Sequence, residues 1–129
     1  MASSTLKQYL TELSNSEIKS LENYLDNLFA VLDVDVEFTK HFKERLQGRE
    51  DSVKIEEIKS TFNKLLKKYQ ERIVNSPKAK SVLQDLSNNL NVPFVVEKLK
   101  DGTYELNTLT IMKKKGFKPG FDTKKLFKV

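Results

Sequence analysis

The one histidine of the chain lies in Lys40-His41-Phe42-Lys43-Glu44-Arg45-Leu46-Gln47-Gly48-Arg49, and two of its three arginines follow at intervals of four. On a helix, residues four apart stand one above the other, so His41, Arg45 and Arg49 share a face. Phe42 and Leu46 form an adjacent apolar stripe that can fasten such a helix to a core. The chemistry this row could do is phosphate chemistry. An arginine presents a planar, permanently charged fork that matches phosphate oxygens, and a histidine exchanges a proton near neutral pH. RNA cleavage by internal attack needs a base for the 2′-hydroxyl, charge stabilisation at phosphorus and an acid for the leaving oxygen. His41 as acid or base, with Arg45 and Arg49 holding phosphate, supplies much of that set; Tyr69, Tyr104 or a lysine would complete it. The competing reading is structural: His41 packs beside Phe42, Arg45 pairs with Glu44, Glu56 or Glu57, and Gly48 breaks the helix before Arg49.

A second group stands at the C-terminal end. Lys113, Lys114, Lys115, Lys118, Lys124, Lys125 and Lys128 are interleaved with Phe117, Phe121 and Phe127. Lysines attract a phosphate backbone without regard to sequence, and exposed aromatic rings stack on bases. Lys113, Lys114, Lys115, Lys118 and Phe117 are therefore the candidate nucleic-acid contacts. Gly116, Pro119 and Gly120 predict a loop or extended tail over 113–129 rather than a helix. Two other uses fit the same residues. The phenylalanines could fill grooves in a neighbouring protein, or cover this chain's own core while the lysines are solvated.

Charge is distributed unevenly. The net +5 divides into −5 over residues 1–37, +4 over 38–110 and +6 over 111–129, where seven lysines face Asp122 alone. That polarity points to an acidic face and a basic face with different partners. There is no cysteine, which excludes disulfides, thiolate nucleophiles and Cys-based zinc sites. One histidine and no paired-histidine motif leave no metal site to expect, and no Gly-rich phosphate loop or nucleophile elbow calls for a cofactor. The longest apolar run, Leu28 to Leu32, is far short of the ~20 residues of a spanning helix. With no signal-peptide pattern at the start, the expected location is cytoplasmic, with no membrane partner.

The elements that must position these groups follow from periodicity. Leu6, Tyr9, Leu10 and Leu13 predict a first helix; Ser14 and Glu17 have capping-box spacing for a second, with Ile18, Leu21, Leu25, Leu28 and Leu32 as its stripe. Val34, Val36 and Phe38 alternate with Asp35 and Glu37 as in a half-buried strand. A helix over 39–49 carries the His/Arg row. Asp51 or Ser52 caps another, with Ile55, Ile58, Phe62, Leu65, Leu66, Tyr69 and Ile73 inward. Ser76-Pro77 starts a further helix through Ala79, Val82, Leu83, Leu86 and Leu90, ended by Asn88, Asn89, Asn91 and Pro93. Phe94–Leu99 and Tyr104–Met112 read as strands joined through Asp101-Gly102. The expectation is one α+β domain of 129 residues. It has an acidic helical arm (1–32), an α+β core (33–112) with a small antiparallel sheet packed by helices, and a basic Lys/Phe tail (113–129).

The stretch His41-x3-Arg45-x3-Arg49, preceded by a strand and followed by a Glu-rich amphipathic helix, resembles small ribonucleases of the RelE/BrnT type. Within that superfamily it is most similar to the early-mRNA endoribonucleases of phages. The resemblance covers roughly residues 34–75. The blocks Leu90-Asn91-Val92-Pro93-Phe94-Val95 and Thr110-Ile111-Met112-Lys113-Lys114-Lys115, with the His-Phe-x-Glu-Arg stretch, also look like small proteins of tailed phages. The resemblance implies a small twisted sheet packed by helices with RNA on a basic sheet face. It implies a small phage-encoded RNA-binding protein in the host cytoplasm, with metal-independent endoribonuclease activity on mRNA as its sharpest form. Such nucleases draw further His, Arg or Tyr from their later strands, whereas the last strands here carry mainly Lys and Thr. The alternative is a non-enzymatic phage accessory protein that binds a host or virion protein through the acidic helices or the C-terminal tail. A DNA-binding regulator is a third possibility, with no recognition-helix pattern to single it out.

Overall fold

A computed structural model describes residues 14–48, 53–70, 72–74, 80–118 and 125–129. The first predicted helix, residues 76–79 and Arg49 lie outside that set. Among the described residues there are three helices and a mixed six-stranded sheet. Helix α1 (Asn15–Phe29) starts at the anticipated cap: the Ser14 side chain accepts from Glu17 N–H and Glu17 reaches back to Ser14 N–H. Its inward stripe of Ile18, Leu21, Leu25 and Phe29 is buried, so α1 is a wall of the core rather than a detached arm. Asp33 then turns the chain in the left-handed region (φ 57°) into strand β1 (Val34–Phe38). The alternation holds: Val34, Val36 and Phe38 face the core, and Asp35 and Glu37 face outward.

Helix α2 (Lys40–Gly48) buries Phe42 and Leu46, and the Phe42 ring lies 4.5 Å from that of Phe38. Helix α3 (Ile55–Tyr69) buries Ile58, Thr61, Phe62 and Leu65, with Phe62 edge-on to Phe29 of α1. The proposed caps Asp51 and Ser52 lie outside the described residues; Glu57 accepts from Lys54 N–H at the helix start.

The helix expected over 77–90 is not formed. Lys80–Asp85 is strand β2 and Leu90–Lys98 is strand β3, paired antiparallel from Lys80↔Val95 to Asp85↔Leu90. Leu86–Asn89, read as the end of a helix, are instead the turn between them, with Asn89 at φ 55°. The misreading has a physical cause. Both faces of β2 and of early β3 are covered, so Ser81–Asp85 and Leu90–Phe94 are all buried. Strands covered twice lose the period-two contrast, and 79-82-83-86-90 then mimics a helix face.

Strand β4 (Tyr104–Thr108) returns antiparallel to β3 through the turn with Gly102 at φ 90°, which leaves Leu99 N–H on Thr103 O at 2.8 Å. It also pairs in parallel with β1, Val34↔Tyr104 to Phe38↔Thr108. Pro93 ends the β3–β4 ladder. Its carbonyl accepts from Leu109 N–H at 2.8 Å, but it has no N–H to return, and the Leu109 carbonyl accepts from the Thr39 hydroxyl instead. The chain then rejoins β3 as β5 (Met112–Lys113).

The C-terminal stretch is likewise no free tail. Lys125–Lys128 form β6, parallel to β2 on the far edge, and Phe127 fills the core between Phe94 and Tyr69. The sheet order is β1-β4-β3-β2-β6, with β5 beside β3. Two of its pairings are parallel, so it is mixed where an antiparallel sheet was expected. The α+β class stands.

Candidate functional site

Arg45 and the lysine-rich stretch, 66 positions apart in sequence, come together. Arg45 Nε donates to the carbonyl of Ile111 at 3.2 Å, which docks α2 against the segment entering β5. Ile111 is buried beneath this contact. The guanidinium is thus engaged with protein rather than held out as a phosphate fork. His41 stands one turn earlier on the same face, 67% exposed, with Nδ1 4.0 Å from Glu44 Oε1. Arg49 lies outside the described residues. The row therefore resolves into one exposed imidazole beside a carboxylate and one arginine that ties two elements together.

The five C-terminal candidates also divide. Lys113 points to the helix side of the sheet and binds Glu57 through both carboxylate oxygens, at 2.9 and 3.1 Å. It joins β5 to the first turn of α3 and is not a free contact. Lys114, Lys115 and Lys118 are exposed, and Phe117 is half-buried. The 114–117 stretch is held down by buried amides: Asn91 Nδ2 reaches the Lys114 carbonyl at 3.1 Å and Gln84 Nε2 the Phe117 carbonyl at 3.0 Å. Lys40, His41 and Lys43 of α2 are exposed as well. With Arg45 as the link, α2 and the segment after β5 form one surface with five exposed lysines and an imidazole.

The most highly ordered polar cluster was missed in the sequence because it straddles the misread segment. Asp85, 0% exposed, accepts from Thr61 Oγ1 (2.8 Å), Lys64 Nζ (3.1 Å), Ser87 Oγ (2.7 Å), Ser87 N–H (3.1 Å) and both nitrogens of Asn88. Burial alone would raise its pKa. The donors from Ser87, Thr61, Lys64 and Asn88 outweigh that and hold it at about 2. Lys64 Nζ also lies 2.8 Å from Ser87 Oγ, a spacing reminiscent of a serine–lysine nucleophile pair. The Asp85 carboxylate favours the ammonium form of that lysine, which removes the base such chemistry requires. The cluster fastens the β2–β3 turn to α3 and is not catalytic.

Nothing matches this chain among described protein families, curated proteins or solved structures.

On the sheet face turned away from the helices, Asp35, Glu105 and Glu97 stand side by side in register across β1, β4 and β3, with Glu37 next to them on β1. Desolvation, then repulsion from Glu22, Glu105, Asp26 and Asp35, raises the pKa of Glu37. On α1, Glu22 Oε2 accepts from Phe38 N–H at 2.8 Å and Asp26 Oδ1 from Val36 N–H at 2.6 Å. Desolvation raises the pKa of Asp26 despite the hydrogen bond from Val36. No group of three or more His, Cys, Asp or Glu among the described residues is arranged to hold a metal ion. No described helix is long and apolar enough to cross a membrane.

Proposed function

We propose that the protein is a small RNA-binding protein that holds the phosphate backbone on the surface formed by α2 and the segment after β5, without cleaving it. The Arg45–Ile111 contact carries this reading, because it sets Lys40, His41 and Lys43 beside Lys114, Lys115 and Lys118. Binding is favoured over cleavage by the same geometry. Cleavage needs an imidazole and a guanidinium converging on one phosphorus. Here Arg45 is spent on a backbone carbonyl, and His41 has only Glu44 within salt-bridge range. Lysines on an open surface supply affinity that is electrostatic and indifferent to sequence. A phage-encoded role in the host cytoplasm accords with the resemblance noted in the sequence.

Anisotropy of a fluorescent single-stranded RNA over a salt series tests the proposal. Log affinity should fall linearly with log salt. Lys114→Gln/Lys115→Gln should weaken binding about tenfold and lower the slope by about 2, roughly one unit per lost phosphate contact. His41→Ala should leave the RNA uncut, as wild type does. Salt-independent binding, or no effect of the double variant, would remove the reading. RNA scission abolished by His41→Ala would restore the nuclease.

One observation favours a second reading, an accessory protein that grips a basic partner protein. Like charges placed opposite one another in a sheet are destabilising, yet Asp35, Glu105 and Glu97 occupy one cross-strand row. Retention of a host or virion protein by the wild type, lost on Glu97→Lys/Glu105→Lys, would support it.

A further inference from the structure

Between Glu57 and Asp85 the sequence has a single carboxylate, Glu71, against Lys59, Lys64, Lys67, Lys68, Arg72, Lys78 and Lys80. Part of this excess converges at the C-terminal end of α3. Lys67, Lys68, Tyr69, Gln70 and Arg72 line an open depression of about 300 Å³, at the small end of the range for ligand sites. Lys125 of β6 joins them, its Nζ 3.3 Å from the Arg72 carbonyl. None of these four cations pairs with a carboxylate among the described residues, of which Glu71 is not one.

The cations are also held in position. The Arg72 guanidinium lies 5.3 Å and the Lys68 ammonium 5.6 Å from the centre of the Tyr69 ring, within cation–π range. Tyr69 is itself fixed, edge-on to the buried Phe127 and with its hydroxyl donating to the Lys128 carbonyl at 2.9 Å. Lys68 and Arg72 are four apart, a like-charge spacing that costs helix stability. The end of a helix carries only about half a negative charge, too little to balance four cations. The lining is polar, and one member is an arginine whose planar fork suits phosphate oxygens.

We propose that this depression is a second anion site, taking a phosphate ester of mononucleotide size. It is separate from the α2–β5 surface. Glu57, which anchors β5, and Tyr69 are twelve residues apart on α3, about 18 Å along its axis. The phosphate could come from a free nucleotide or from one residue of an RNA strand, and the two sources are separable by experiment.

The test is an amide NMR titration of the full chain with ATP (without metal), with a ten-residue oligouridylate, and with sulfate as an ionic control. ATP or the oligonucleotide should move the amides of Tyr69, Gln70, Arg72 and Leu126, saturating with a Kd of about 1 mM or tighter. Sulfate should bind at least tenfold more weakly. Arg72→Gln/Lys68→Gln should weaken the response about tenfold or more, and Arg72→Lys should give an intermediate loss. These side chains are at the surface, and an unchanged melting temperature verifies folding. Shifts with ATP alone assign the site to free nucleotides, and shifts with the oligonucleotide alone assign it to a strand; either supports the proposal. No movement with both, or equal movement with sulfate, overturns it. The RNA-binding surface stands or falls separately, because Lys114→Gln/Lys115→Gln should leave the ATP response at Tyr69 and Arg72 intact.

Discussion

Asp85 has more hydrogen-bond partners than its two oxygens would have in a solvated turn, and all come from groups that would otherwise be buried or idle. Asp85→Asn keeps the shape but turns an acceptor into a donor facing donors. It should cost about 2–4 kcal/mol, read as a lower urea midpoint at unchanged m-value. With a folded pKa of about 2 against roughly 3.9 unfolded, Asp85 contributes about 2.5 kcal/mol above the unfolded value, lost as pH falls towards 2. At this scale the sequence was only partly legible. His41 and Arg45 do share a helix face, as their spacing required. That Arg45 would bind a backbone carbonyl, and Lys113 a glutamate 56 positions away, depends on which strand adds to which edge. Asp85, Thr61, Lys64 and Ser87 have no common spacing at all.

Elements were legible where one face is wet. The alternation of β1, the capping box of α1, the stripe of α3 and the Asp-Gly turn each correspond to a described element, because solvent on one side imprints a period. β2 and early β3 lie under cover on both sides, and their pattern carried no such imprint. β6 was hidden differently: Lys125-Leu126-Phe127-Lys128 reads as a basic tail, and only the parallel pairing with β2 buries Phe127. Phe127→Ala should therefore cost about 3–5 kcal/mol, the range for a fully buried aromatic, where a tail residue would cost nothing. Thermal unfolding followed by circular dichroism measures it. The Tyr69 corner should be lost with it, since the ring of Tyr69 rests on Phe127.

For the whole molecule, charge asymmetry foretold distinct acidic and basic surfaces, and both exist, but not as arm and tail. The acidic surface has a consequence for stability. Asp26 and Glu37 have raised pKa values in the fold, so the native state binds protons before the unfolded chain does. Stability should rise as pH is lowered from neutral through those raised values. It should fall again below the ordinary carboxylate range, where Asp85 begins to lose its charge. Asp26→Asn, which retains an acceptor for Val36 N–H, should flatten the rising limb in a melting series from pH 7 to 3; an unchanged limb would assign it to other groups. Glu22 and Asp26 have a further effect through their place on α1. β1 ends the sheet, and outward N–H groups on such a border ordinarily invite a strand from another molecule. Here two carboxylates occupy those donors, so the border facing α1 is closed to fibril-like growth. The opposite border is β6, where a lysine stands at each end of the four residues. A highly charged small protein thus uses its acids and bases as bookends, keeping each sheet to a single molecule.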